Sequence, residues 1–216
     1  MKEQLILYSG GLDSTVLLKF LLQENKNPIT VLNIKYSWEK KLSKHYEIQY
    51  KLVKKLIKYF KKNYRAFNYR EISFTMGNAS FTDFEQRLGE DHFSAILAGT
   101  YIAQSNKEIK DVWIGHFTYN DLSAIQLKKR INWWFLDNSL NLAVNSIPSM
   151  CGIKNINMCI PSLNFKGNSI DSFATKKEAF DYLEKDLQNL IRSCYGDDYF
   201  CGKCFKCKEH KFYLIK

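Results

Sequence analysis

A strand, a turn and a helix are compressed into Gln4-Leu5-Ile6-Leu7-Tyr8-Ser9-Gly10-Gly11-Leu12-Asp13-Ser14-Thr15, close to the start of the chain. The apolar run Gln4 to Tyr8 predicts a short buried strand, Ser9-Gly10-Gly11 a tight turn, and Thr15 to Leu22 a helix. Two glycines between a strand and a helix let the backbone approach a ligand closely. The amides at the helix start face outward, and the helix dipole there favours negative charge. The stretch Ser9 to Thr15 is therefore a candidate phosphate cradle. The loop differs from the kinase-type phosphate loop, because no lysine follows its glycines. The plain alternative is an ordinary Gly-Gly turn in which Asp13 or Ser14 caps the helix.

Outward from this stretch, strand and helix patterns alternate. Ile29 to Tyr36 reads as a second strand after the Asn27-Pro28 turn, and an amphipathic helix spans about Lys44 to Lys62. A third strand is expected near Tyr64 to Phe74. Phe93 to Gln104, with Ala95, Ala98 and Gly99, reads as a buried helix. Val112 to Gly115 is the fourth strand, Trp133 to Val144 a helix and Asn157 to Ile160 the last strand; Phe180, Leu183, Leu187, Leu190 and Ile191 mark one final amphipathic helix. Alternation of this kind predicts an α/β fold, a parallel five-stranded sheet with helices on both faces. It occupies residues 1–193, and a cysteine-rich tail of residues 194–216 packs on it.

The chain has 216 residues, 45% hydrophobic and 25% charged, with only 10 Gly and 3 Pro. Disorder, collagen and repeat arrays are excluded by that composition and length. No apolar run approaches the length of a membrane span, so a soluble, cytoplasmic protein without membrane contact is expected. The formal net charge is +10, and its source is local. From Lys40 to Arg70 there are 11 basic residues and one acid, Glu47, which accounts for the whole excess. A basic face of this kind suits a phosphate-bearing partner, nucleic acid or an acidic protein. The alternative is a solvated face. Ile48, Leu52, Val53, Leu56, Ile57 and Phe60 recur at helical spacing and leave Lys51, Lys54, Lys55, Lys58, Lys61 and Lys62 on the water side.

Cys194, Cys201, Cys204 and Cys207 are spaced C-x6-C-x2-C-x2-C. Closely spaced thiolates chelate, and four of them close a tetrahedral zinc site with no open position, a structural metal. An iron–sulfur cluster or a redox pair is the alternative. Cys151 and Cys159 lack chelating spacing and read as buried small apolar residues.

The string SGGLDS resembles the pyrophosphate loop of the ATP-pyrophosphatase (PP-loop) superfamily. Together with Ser193-Cys194-Tyr195 and the closing cysteines, it is similar to the 7-cyano-7-deazaguanine synthase family over the whole chain. The resemblance implies a homodimer with structural Zn²⁺ that uses ATP and Mg²⁺ to adenylate a deazaguanine carboxylate, 7-carboxy-7-deazaguanine. A nitrogen nucleophile then attacks: ammonia, giving an amide and then a nitrile, or an amine of a macromolecule in divergent members from phage modification or defence contexts. It further implies that Ser9 to Ser14 hold pyrophosphate, that Asp13 lies near Mg²⁺, that Asn33, Ile34 and Lys35 neighbour the nucleoside, and that Lys176 reaches the phosphates. His45 and Glu47 fall at the family's histidine and glutamate after strand two, although Ser37-Trp38-Glu39 replaces a Gly-Gln-Arg. Gly115, His116 and Asp121 match a segment where a strand ends in Ile-Gly. Lys176 lies in Thr175-Lys176-Lys177-Glu178, which is also a capping box. The clearest departure is Leu88 to Phe93, where Asp91 and His92 stand in place of an arginine and an asparagine that border the substrate. The rivals are a tRNA-modifying PP-loop enzyme, a thiolase or a lysidine-type ligase, and a nucleotide-binding module without catalysis.

Overall fold

The computed structural model describes residues 2–38, 44–76, 90–105, 108–115, 133–161 and 176–191. The strands are β1 (Glu3–Leu7), β2 (Ile29–Trp38), β3 (Asn68–Met76), β4 (Ile109–Ile114) and β5 (Asn157–Cys159). The helices are α1 (Leu12–Glu24), α2 (Lys44–Asn63), α3 (Glu90–Gln104), α4 (Trp133–Met150), α5 (Lys176–Asp181) and α6 (Lys185–Leu190). The five strands form one sheet in the order β3-β2-β1-β4-β5, and every pairing is parallel. The expected α/β architecture is the one observed.

Successive strand residues point to opposite faces, so each strand feeds two cores. Ile6, Val31, Trp113 and Cys159 join Val16, Leu17, Val53, Leu56, Phe60, Phe180 and Leu187 under α1, α2, α5 and α6. Leu5, Leu7, Leu32, Val112 and Met158 join Ala95, Ala98, Ile102, Leu140 and Val144 under α3 and α4. The chain steps from central β1 outward to β3 with helices on one face, then crosses back to β4 and β5 with helices on the other. That reversal makes the carboxyl ends of β1 and β4 the topological switch point of the sheet, the place where open α/β sheets keep their ligands.

Four local expectations are corrected. The third strand begins at Asn68, because the Tyr64 amide still bonds the Phe60 carbonyl at 2.9 Å at the end of α2. The single final helix is two, α5 and α6. Between them the chain turns so that the Glu184 carboxylate meets the buried Lys19 ammonium at 2.9 Å and the Tyr64 hydroxyl at 2.7 Å. An unpaired buried ammonium costs more than a helix break, which accounts for the turn. The helix from Trp133 continues past Val144 to Met150 and contains Pro148, which has no amide for the Val144 carbonyl. Gly99 of α3 lies against that carbonyl, so close that a Cβ there would sit 2.3 Å from the oxygen. Cys159 is buried as expected, but Cys151 is exposed, in the turn that leaves α4 through Gly152 at φ 76.

Candidate functional site

The switch point begins where β1 ends. Gly10 adopts φ 77, a conformation that side chains oppose, and a Cβ on it would lie 2.7 Å from Val53 Cγ2. Glycine at this position therefore serves the turn and the seating of α2. Gly11 has φ −78 and ψ 173, an extended N-cap, and no side chain caps α1. The first amides of a helix point along its axis away from the helix body, which makes this end of α1 the one that favours an anion.

Two hydroxyls flank these amides. The Gly11 amide donates to Ser9 Oγ at 3.4 Å, Ser9 Oγ and Ser14 Oγ are 3.2 Å apart, and Ser14 Oγ donates to the Gly11 carbonyl at 3.2 Å. All three bonds are long. Turning both hydroxyls toward a phosphate oxygen sacrifices little. Ser9 is exposed and Ser14 buried, so the pair lines the lip and the floor of the loop, with half-exposed Asp13 in the first turn of α1.

The loop is braced from three sides. Asn33 of β2 donates through Nδ2 to the Tyr8 carbonyl at 2.7 Å, and the Tyr8 amide donates to the Leu32 carbonyl at 2.9 Å. Burial pushes the Tyr8 hydroxyl far above the ordinary tyrosine range, with its 3.2 Å contact to Thr15 Oγ1 opposing. Tyr8 thus stays protonated and acts as a brace. Gln49 of α2 donates through Nε2 to the Ser9 carbonyl at 2.7 Å. At the end of β4, Gly115 packs on the start of α1: a Cβ there would meet Ser14 N at 2.6 Å, Ser14 Cα at 2.7 Å and Asp13 C at 2.8 Å.

Other sequence-predicted residues fall at different depths. The Lys35 ammonium lies 4.6 Å from the centre of the Tyr50 ring, on the α2 side of β2. Lys176 is buried at the first residue of α5, a helix that packs against α1. His92, in the first turn of α3, has Nε2 2.8 Å from Ser139 Oγ of α4, and its buried Nδ1 has no partner among the described residues. α3 returns the chain from β3 to the parallel strand β4, so its first turn, with His92, lies toward the carboxyl edge of the sheet, as does the Ser9–Ser14 turn after β1. The side chains of His45 and Asp91 lie outside the described residues, as do His116, Asp121, Cys194, Cys201, Cys204 and Cys207. Gln49 and Val53 were missed by the sequence reading. Their helical periodicity marks a face, but nothing local says that this face meets the loop.

No family model matches the chain, and neither does any curated protein. Among solved structures, it is similar to the U34-tRNA thiolase NcsA from Methanococcus maripaludis, solved with its 4Fe-4S cluster. That match has 15% identity and a TM-score of 0.39, and covers 98% of this chain and 80% of that one. A second neighbour, described as a predicted subunit of tRNA methyltransferase from Methanocaldococcus jannaschii, shares 15% identity at a TM-score of 0.36, with 81% and 74% covered. Likenesses this loose carry no argument about activity.

Proposed function

We propose that the chain is a PP-loop ATP-pyrophosphatase that adenylates a carboxylate, 7-carboxy-7-deazaguanine, for attack by a nitrogen nucleophile. The supporting observation is the uncapped start of α1, framed by the Ser9 and Ser14 hydroxyls at the carboxyl end of β1. The β and γ phosphates seat at the N-terminus of α1, between the Ser9 and Ser14 hydroxyls. Asp13 is the residue there able to hold Mg²⁺, which when bound neutralises phosphate charge and favours departure of pyrophosphate.

The substrate carboxylate oxygen attacks the α-phosphorus, the bond to the α–β bridging oxygen breaks, and pyrophosphate leaves on the loop. The acyl adenylate is then attacked at carbon by the amine nitrogen, which loses a proton as AMP departs. Adenylation is required because a carboxylate oxygen is a poor leaving group. His92, with a ring nitrogen unused on the same sheet edge, is placed to hydrogen-bond the base.

Mass spectrometry of protein incubated with ATP, Mg²⁺ and 7-carboxy-7-deazaguanine, with and without ammonium, tests the reading. Amide or nitrile together with AMP is the expected result, and Asp13→Asn should lower AMP release at least 100-fold while leaving the melting temperature within a few degrees. AMP formation that survives Asp13→Asn would remove the loop from the chemistry.

A further inference from the structure

We infer that the outer face of α2 is a track for a single strand of nucleic acid, held by its phosphates, which leads to the phosphate loop. Lys51, Lys55, Lys58 and Lys62 are exposed and fall at i, i+4, i+7 and i+11, so they form one stripe. At 1.5 Å rise per residue the stripe is about 16 Å long, suited to several consecutive phosphates of one strand. None of these four ammonium groups has an ion pair among the described residues.

The neighbouring charges separate this stripe from an ordinary salt-bridged surface. Lys54, on the β3 side, is already used: its ammonium is 2.7 Å from Glu71 Oε1, and it lies over the Tyr50 and Tyr69 rings at 5.1 and 5.6 Å. Lys61 lies 5.9 Å from the Tyr69 ring centre. Glu71 also accepts from the Tyr50 and Tyr69 hydroxyls at 2.9 and 2.6 Å, so its charge is spent within this cluster. On the other flank, Glu184 is engaged by Lys19 and Tyr64. Glu47, one turn before Lys51, is the only acid in α2 and sits in its first turn, where a carboxylate complements the helix dipole. From Lys51 onward, lysines three and four residues apart repel one another and oppose the helix. A polyanion laid along the stripe removes that repulsion.

The stripe starts beside the site. Gln49 bonds the Ser9 carbonyl and Val53 abuts Gly10, while Lys51 between them faces water. A strand on the track is thereby delivered to the loop, which makes nucleic acid the macromolecular substrate or acceptor. That consequence rests on the ATP-pyrophosphatase reading; the binding does not. Because the Tyr50 and Tyr69 rings are covered by lysines, the track reads charge and leaves base identity unread.

Fluorescence anisotropy with a labelled single-stranded 20-mer, as RNA and as DNA of the same sequence and without ATP, is the test. With four phosphates neutralised, affinity should fall about 50-fold between 50 and 200 mM salt, from a slope near −0.7 per phosphate. The variant K51Q/K55Q/K58Q/K62Q should lose that salt dependence. The charge-matched control K2Q/K26Q/K110Q/K154Q, which lies outside α2, should keep it. Equal binding of RNA and DNA supports recognition through phosphate alone, and a preference for RNA supports added contact with the 2′-hydroxyl. The inference is overturned by absent or salt-insensitive binding, by equal losses in the two variants, or by binding of polyglutamate in place of either strand. AMP release with the free carboxylate, measured on the same variants, reports separately on the phosphate loop.

Discussion

Gly115→Ala separates the geometry of the proposed phosphate loop from its side chains. The new Cβ would stand 2.6 Å from Ser14 N and 2.7 Å from Ser14 Cα, against an ordinary contact of 3.4 Å or more. Both obstacles are backbone, so no rotamer change relieves them. Either β4 or the start of α1 must move by about 0.8 Å. Overpacking of this sort costs about 1–3 kcal/mol of stability. A displacement near 1 Å in a positioned site costs about 100-fold in rate, or roughly 2.7 kcal/mol of transition-state stabilisation. Pyrophosphate affinity by titration calorimetry and AMP release, each normalised to the folded fraction from circular dichroism, are the readouts. Gly99→Ala is the control, because its Cβ would meet the Val144 carbonyl at 2.3 Å in the α3–α4 contact, away from the loop. Both variants should be destabilised, and only Gly115→Ala should lose pyrophosphate and AMP formation. A folded Gly115→Ala protein that binds pyrophosphate within twofold of the parent, or a Gly99→Ala protein that loses it equally, would refute the reasoning.

Two further outcomes follow from the same contacts. Gln49→Ala deletes the 2.7 Å bond to the Ser9 carbonyl at an exposed site; pyrophosphate should bind about fivefold more weakly, for roughly 1 kcal/mol, with little change in denaturant midpoint. Burial favours the neutral carboxyl at Glu184 and Glu71, but Tyr64 and Lys19 at the first, and Lys54, Tyr69 and Tyr50 at the second, hold both below the ordinary glutamate range. A folded-state pKa below the unfolded value of about 4.3 gives stability that is present above that pH and lost as pH falls through the folded value. Thermal melts should therefore be level from neutral pH to about 5.5 and fall below about 4.3, and Glu184→Gln should lower the plateau and flatten the fall.

How much was legible in the sequence depended on the range of the interactions involved. The strand–turn–helix at Gln4 to Leu22 is local: apolar period, two glycines and a helix former are enough, and the structure has them in place. The buried face of α2 was equally readable, because Leu52, Val53, Leu56 and Phe60 repeat at helical spacing. The break at Glu184 was not readable, since its cause, Lys19, lies 165 residues earlier and is brought near only by the packing of α1. For Gly115 the signal was an Ile-Gly pair at a strand end, which marks a site edge but not the backbone of Ser14 on which that glycine lies. Ser9 and Ser14 could be named from the motif, whereas their 3.2 Å pairing needed the turn itself.

The two glycines of the loop show why such a motif resists replacement at either position for unrelated reasons. Gly10 is required by conformation and by contact: its φ of 77 disfavours any side chain, and Val53 fills the space where one would go. Gly11 is required by neither, since φ −78 and ψ 173 suit any residue. At an N-cap, serine, asparagine or aspartate would stabilise α1 by a few tenths of a kcal/mol over glycine, by accepting from the amide two or three residues on. That oxygen would occupy the donors an anion needs, and aspartate would add a repelling charge. A helix made for stability alone would carry the cap. Its absence in α1, with the Ser9 and Ser14 hydroxyls beside the helix start, is what the proposed phosphate site requires.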